Sequence, residues 1–140
     1  MRSVAAVMAP LEPEVLAQVA ASLVDESRSV PLPPGDHRRW VHLVATEDYD
    51  AWLIAWPSGA ALGMHDHGGS SAAVRVLVGE LEERHCDIDH AADVRVRRLR
   101  AGEGVRFGPE HVHALRNDGS IEVLSVHVYS PPLGQMSYFD

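Results

Sequence analysis

From Trp40 onward, hydrophobic and polar residues alternate with a period of two. The alternation recurs in five segments: WVHLVAT, DAWLIAWPSG, SAAVRVLVGELEE, VRVRRLRAGEGVRFG and IEVLSVHVYSPP. Each segment ends at glycine, proline or a charged turn, which is the pattern of short β-strands. The long helical segments that a parallel α/β sheet needs between its strands do not occur here. The sequence therefore predicts an all-β fold, either a sandwich or a small barrel.

The residues before Trp40 follow a different pattern. The segment LEPEVLAQVAASL, residues 11–23, places apolar residues at helical spacing and predicts an amphipathic helix that begins near Pro13. The later segment VPLPPGDHRR, residues 30–39, contains three prolines and a glycine. Proline lacks a backbone donor, so this segment is predicted to be an extended connector.

The length of the chain limits its organisation. A chain of 140 residues can fill one hydrophobic core, but two separate domains would each be too small. We therefore expect a single domain over residues 1–140. In this prediction, residues 1–36 form a helical N-terminal appendage with its connector, and residues 37–140 form a β-barrel.

The net charge of −8 argues against polyanionic partners, since a phosphate backbone or an anionic membrane surface would repel the chain. The basic run VRVRRLR, residues 94–100, has strand-like spacing and favours a solvated strand face. No segment has the roughly 18 apolar residues that a membrane span requires. We expect no nucleic-acid or membrane partner, and either a monomer or a homodimer paired through sheet edges.

Cys86 is the only cysteine, which excludes an intramolecular disulfide and a cysteine-rich zinc site. In the N-terminal stretch MRSVAAVMAPLEPEV, glutamate and proline follow the apolar residues too soon for a convincing signal peptide. Both observations favour a cytoplasmic location.

Two histidine pairs are the main candidates for chemistry. His65 and His67 occur in GMHDHGGSS, and His111 and His113 occur in PEHVHALRN. Residues two apart in a strand point to the same face, so His65 and His67 are predicted to project together. Two imidazoles and a third from a facing strand can bind a divalent first-row metal. Spacing alone leaves His111 and His113 as alternatives for the third ligand.

The H-D-H motif is followed by a small-residue turn and an apolar strand that ends at Gly79, and H-x-x-x-N follows later at His113 and Asn117. Together these stretches resemble the paired metal motifs of the cupin superfamily. More narrowly, HDHGGSSAAVRVLVGEL together with LSVHVYSPP is similar to the cysteine dioxygenase family of thiol dioxygenases. The resemblance extends from about Arg39 to Pro132. It implies a small cupin barrel, a double-stranded β-helix or jelly roll, with an N-terminal helical segment.

By this resemblance, His65, His67 and His113 are the ligands of an iron(II) ion. Most cupins also carry a glutamate ligand four or five residues after the second histidine, where this chain has Ser71 and Ala72. Three neutral histidines leave the ion its full positive charge, which favours an anionic thiolate together with dioxygen. Iron(II) fits this chemistry, whereas zinc has no redox chemistry with which to activate oxygen.

Ser125, His127 and Tyr129 are spaced by two and therefore share one face of the last predicted strand. Without the resemblance, such a polar face is ordinary solvent exposure. In the family, a serine, a histidine and a tyrosine at these places form a hydrogen-bonded relay whose tyrosine hydroxyl lies close to the ligands of the iron. The animal enzymes also crosslink the tyrosine to a cysteine. The aligned residue here is Ala72, so the bacterial branch is indicated and no thioether is expected.

A substrate carboxylate needs a cationic partner, and arginine offers two parallel donors for it. Spacing along the resemblance assigns this role to Arg39, with Arg38 and Arg75 as alternatives. Three tryptophans in the first two strands are expected to belong mainly to the core and the barrel rim: Trp40, Trp52 and Trp56.

These features predict a non-haem iron(II) enzyme that adds both atoms of dioxygen to the sulfur of a small thiol. The product is a sulfinic acid, and L-cysteine is the first candidate substrate. The first alternative is 3-mercaptopropionate or another small thiol carboxylate. The second alternative is a metal-binding cupin that acts as a sensor or an isomerase without oxygen chemistry.

Overall fold

The computed structural model describes residues 9–139, so residues 1–8 of the predicted N-terminal appendage and Asp140 lie outside the described part. Two antiparallel sheets form the fold, which confirms the predicted all-β cupin architecture. The first sheet has the strand order β1 (Arg39–Ala45), β2 (Asp50–Trp56), β9 (Val123–Ser130), β4 (Ser71–Val78) and β7 (Gly104–Phe107). The second sheet has the order β3 (Ala61–His65), β8 (His111–Arg116), β5 (Glu80–Asp87) and β6 (Arg95–Arg100).

The core lies between the two sheets, as the period-two alternation predicts. Ala72, Val74 and Val76 point inward from β4. They pack in one cluster with Leu81 of β5 and Leu115 of β8. The outer face of the second sheet carries ion pairs, among them Arg98 with Glu80 and Arg116 with Glu82.

The predicted helix is present as α1 (Pro13–Ser22), followed by a short helix α2 (Val24–Ser27). Proline suits the first turn of a helix, because the first backbone N–H groups have no partner within the helix. Leu16 and Ala20 of α1 pack against the outer face of the first sheet. Strands β2 and β9 are consequently buried on both faces, which explains the nearly continuous apolar sequence of β2.

Two strands fall outside the five alternating segments, namely β3 and β8. They pair with each other, and His65 lies opposite His113 in their register. The proline-rich connector is extended, as predicted, and crosses to β1 without a helix or strand of its own over residues 30–38. Within residues 9–139, no helix has the length and apolar character needed to cross a membrane.

Candidate metal centre and cavity

Three buried histidines converge at one end of the barrel. The ring centroid of His65 lies 4.9 Å from that of His67 and 4.8 Å from that of His113. The Nε2 atoms of His67 and His113 are 3.1 Å apart. Each of the three side chains is about 1% exposed. One nitrogen from each histidine lies within 4.8 Å of the others, so His113 completes this group and His111 does not.

The prediction that one strand carries both His65 and His67 needs correction. Strand β3 ends at His65, and His67 lies in the turn that follows. The chain leaves the sheet because Asp66 turns toward the C-terminal segment: its backbone N–H donates to Ser137 O at 2.9 Å. Its side chain accepts from the N–H groups of Ser137 at 2.8 Å and Gly68 at 3.2 Å. This turn directs the ring of His67 back toward His65.

Hydrogen bonds define which ring nitrogens are free. The Nδ1–H of His65 donates to Gly63 O at 2.7 Å, and the Nδ1–H of His113 donates to Glu83 Oε2 at 2.7 Å. The Nε2 lone pairs of both rings therefore remain available. Two nitrogens bound at about 2.1 Å and at right angles to one ion lie about 3 Å apart, close to the separation of His67 and His113. The three histidines thus fit a divalent metal ion.

The histidines are neutral at neutral pH, as ligation requires. Burial, together with the neighbouring His113 and His65, lowers the pKa of His67 to about 2. Burial also lowers the pKa of His113 to about 4, although the hydrogen bond with Glu83 opposes this effect. The pKa of His65 is lowered by burial as well.

The polar face of β9 is buried, contrary to the ordinary expectation for a solvent-facing strand. Ser125 Oγ lies 2.7 Å from His127 Nε2, and the Tyr129 hydroxyl lies 3.4 Å from His127 Nδ1. Burial lowers the pKa of His127 to about 3 and raises the pKa of Tyr129. His127 is therefore neutral, and the phenol of Tyr129 keeps its proton.

Trp56 and the buried hydroxyl of Ser125 together define the direction of this chain of hydrogen bonds. The Nε1–H of Trp56 donates to Ser125 Oγ at 2.9 Å, and an indole nitrogen can only donate. The Ser125 hydroxyl is fully buried, and within the described residues His127 Nε2 is the acceptor within reach of its hydrogen. Ser125 therefore donates to His127 Nε2, which leaves the proton of neutral His127 on Nδ1, facing Tyr129. The Tyr129 hydroxyl accepts there and keeps its own hydrogen for a further acceptor. Trp56 is a core residue, as predicted, and also the start of the relay.

A cavity of about 180 Å³ opens beside the histidines and the relay. His65 and His113 form part of its wall, with His127 and Tyr129 next to them. The remaining wall is mostly aromatic and aliphatic, and is formed by Trp40, Trp52, Ile54, Trp56, Leu62, Leu115, Leu133 and Met136. Arg38 is the one arginine among these described lining residues.

The structure places Arg38 in the cavity and not the predicted Arg39. The Arg38 guanidinium lies 5.2 Å from the ring centroid of Trp40 and 5.4 Å from that of Trp56. Arg39, at the start of β1, points the other way, pairs with Glu122 and donates to Pro33 O at 3.0 Å. Successive residues of an extended chain face opposite sides, so a shift of one position exchanges the two arginines. Arg75 lies beside α1, away from the cavity.

The sequence model of cysteine dioxygenase type I matches residues 32–140. The chain belongs to the cysteine dioxygenase type I family.

Solved structures of the same fold include other cupins. Oxalate oxidase in complex with the substrate analogue glycolate is 20% identical, with a TM-score of 0.61 over 79% of this chain and 57% of that chain. The protein TT1209 from Thermus thermophilus is 22% identical, with a TM-score of 0.63 over 77% of this chain and 95% of that one. The cupin domain of Cnp3 from Schizosaccharomyces pombe is 16% identical, with a TM-score of 0.61 over 74% and 69%. This chain thus spans little more than half of the oxalate oxidase chain.

The register of the first sheet shows which residue faces Tyr129 at the position of the family's crosslink. Ala72 of β4 lies opposite Tyr129 of β9, and its methyl group offers no sulfur for a thioether. Cys86 is a free, buried thiol within β5, whose pairing with β8 continues to Asp87.

Glu83 is a residue of the site that the sequence did not indicate; it is 0% exposed and lies behind the histidines. Its Oε2 accepts from His113 and, at 3.1 Å, from His111 Nε2–H, while its Oε1 accepts from Arg97. His111 therefore faces Glu83 and not His65 or His67. Its position in the strand could have indicated burial, because Glu83 lies two residues after the core residue Leu81 in β5 and so points to the same face.

Proposed function

We propose that this protein is a non-haem iron(II) thiol dioxygenase that converts a small thiol carboxylate into the corresponding sulfinate. The observation that carries the proposal is the convergence of three groups on one cavity. These groups are the histidine cluster, of which His65 and His113 line the cavity and His67 lies beside them, together with Tyr129 and Arg38. The family of the chain supports the same assignment.

His65, His67 and His113 would hold the ion. Iron(II), when bound, supplies open positions at which a thiolate and dioxygen meet and the redox chemistry that activates oxygen. In the net reaction, the O–O bond breaks and two S–O bonds form. Sulfur supplies all the electrons that dioxygen takes up, so the reaction needs no further reductant.

Arg38 would bind the substrate carboxylate. Its guanidinium is held against the faces of Trp40 and Trp56, which limits its motion and leaves its donors free to face the cavity. A carboxylate on this guanidinium would place a short thiol chain between Arg38 and the histidines. Cavity walls of tryptophan, leucine and methionine exclude water around that chain.

Tyr129 would donate a hydrogen bond to the oxygen or sulfur atoms that react. The order of donors from Trp56 through Ser125 and His127 leaves the Tyr129 hydrogen available for this contact. Burial raises the pKa of Tyr129, so the hydroxyl remains a donor throughout the physiological pH range.

The cavity wall bears on the choice between L-cysteine and 3-mercaptopropionate. None of its described lining residues is acidic, so no side chain there pairs with a protonated amine. The amine of L-cysteine would lose its proton or lie against apolar side chains, at a desolvation cost. 3-Mercaptopropionate has only the thiol and the carboxylate and avoids this cost. The cavity wall therefore supports it as a second candidate substrate beside L-cysteine.

The test is a comparison of three thiols with iron-loaded protein, in which oxygen uptake and sulfinate formation are followed together. Thiol-dependent uptake with L-cysteine or 3-mercaptopropionate is expected, and the larger kcat/KM identifies the substrate. Cysteamine, which lacks a carboxylate, should have a markedly higher KM. Stoichiometric iron without uptake for any thiol would contradict the proposal and favour a sensor or isomerase.

A further inference from the structure

Glu83 lies in an unusual environment for a carboxylate. The side chain is 0% exposed, and a charge buried in this way is costly unless it is paired and hydrogen-bonded. Burial raises the pKa of Glu83, but hydrogen bonds with His111 and His113 outweigh this effect and lower the pKa below its ordinary value. Arg97 adds a third donor and a compensating charge. Glu83 is therefore a carboxylate with three fixed partners.

We propose that Glu83 is a positioning residue for the metal centre. It accepts the Nδ1–H of His113 and so directs the Nε2 lone pair of that ring toward His67 and His65. A carboxylate behind a histidine ligand fixes both its tautomer and its ring orientation, and makes the ligand more basic. The inference rests on the proposed function only in taking His113 as a ligand.

His111 shares the same carboxylate oxygen as His113. Its ring stacks on Phe107, with centroids 3.9 Å apart, and Phe107 also lies 5.1 Å from His113. Its position is thus constrained on one side by Phe107 and on the other by Glu83. Because one oxygen accepts two N–H groups, His111 takes part of the negative charge that would otherwise act on His113.

The group Glu83, His111 and His113 could also be interpreted as a second metal site, since its ligand atoms lie within 4.8 Å of one another. The hydrogen bonds argue against this interpretation. His113 uses Nδ1–H toward Glu83 while its Nε2 faces His67, and Arg97 occupies the other oxygen of Glu83. A cation at this place would have to displace Arg97 from Glu83 or lie beside the charge of Arg97.

The test compares Glu83→Gln with Glu82→Gln, which removes a charge from the adjacent, outward-facing position of β5. Metal-free proteins are titrated with iron(II) and with cobalt(II) against a competing chelator, and the absorption bands of bound cobalt(II) are recorded. Glu83→Gln should weaken metal binding about 10-fold to 100-fold and shift the cobalt bands. Glu82→Gln should leave the affinity within about twofold, since it alters only exposed ion pairs.

Two further variants keep the test decisive if Glu83→Gln does not fold. Glu83→Asp retains the charge but withdraws the oxygens, and should lose less affinity than Glu83→Gln. His111→Phe retains stacking on Phe107 and leaves Glu83 to His113, so it should bind metal at least as tightly as the unmodified protein. Unchanged affinity and cobalt bands in folded Glu83→Gln, or in Glu83→Asp where Gln does not fold, would overturn the proposal. Tight metal binding without sulfinate formation would instead contradict only the proposed function.

Discussion

Trp56 donates a hydrogen bond from Nε1 to Ser125 Oγ at 2.9 Å, and the same indole ring carries the guanidinium of Arg38 on its face. One side chain thus connects the cationic end of the cavity with the start of the Ser125–His127–Tyr129 relay. The indole can only donate, so the buried Ser125 hydroxyl accepts from it and has His127 Nε2 as the acceptor for its own hydrogen.

Replacing Trp56 by phenylalanine should lower kcat for thiol oxidation. Loss of a hydrogen bond with a net contribution of about 1 kcal/mol corresponds to a decrease of about fivefold to tenfold. Ser125→Ala removes the same link from the other side and keeps the ring under Arg38. In steady-state assays, the double variant should therefore lose little more kcat than either single variant. An unchanged kcat in both single variants would contradict the role of the relay.

Arg38→Met should raise the KM for a thiol carboxylate about 10-fold to 100-fold, since a hydrogen-bonded ion pair contributes about 1.5–3 kcal/mol. Arg39→Met is the matched control and should leave KM unchanged, because Arg39 pairs with Glu122 outside the cavity. Cysteamine should not distinguish Arg38→Met from the unmodified protein. The reverse result, in which only Arg39→Met raises KM, would support the original sequence-based assignment.

Most of the strands, but not β3 and β8, and the histidine group were accessible from sequence for a physical reason. A sheet with one face in the core requires alternation, and alternation is visible in segments such as SAAVRVLVGELEE. Motifs rich in histidine are rare enough to indicate a metal site, and His65, His67 and His113 do converge. The resemblance named His113 as the third ligand, whereas spacing alone left it open; the pairing of β3 with β8 places His113 opposite His65.

The remaining residues of the site were hidden because their function depends on parity or on distant contacts. Arg38 and Arg39 differ by one position, and the sequence does not indicate where β1 begins. Glu83 lies among Glu80 and Glu82, which are surface residues of the same strand, so its charge suggested exposure. The turn that orients His67 depends on a segment about seventy residues later in the chain.

Gly68→Ala should destabilise the protein and loosen the C-terminal segment. Gly68 has a φ of +61°, and an added Cβ would lie 2.1 Å from the backbone oxygen of Gln135. The free energy of unfolding in urea should fall by more than about 1 kcal/mol. Gly69→Ala is the matched control, since Gly69 also has a positive φ of +92° but has open space around its Cβ. Equal losses in the two variants would show that the contact with Gln135 contributes nothing.

The stability of the metal-free protein should fall as the pH is lowered from about 6.5 toward 4. His67, His113 and His127 have folded-state pKa values of about 2, 4 and 3, against an ordinary value of 6.5. The unfolded chain therefore binds more protons in this range. The stabilisation is complete above pH 6.5 and is lost as the pH falls, by up to about 1.4 kcal/mol per pH unit for each histidine.

Urea denaturation at several pH values measures this slope. His127→Gln removes one of the buried, neutral histidines without touching the metal ligands, and should make the slope smaller. A stability that does not change between pH 7 and pH 5 would contradict the buried, neutral state of these rings.

The most direct test of the central claim is the mass of the product formed under ¹⁸O₂ by the iron-loaded protein. We expect the thiol carboxylate to become a sulfinate in which both added oxygen atoms carry the label, with one dioxygen consumed per sulfinate. A disulfide product, a sulfinate with label in only one oxygen, or the absence of thiol-dependent oxygen uptake would contradict the assignment as a thiol dioxygenase.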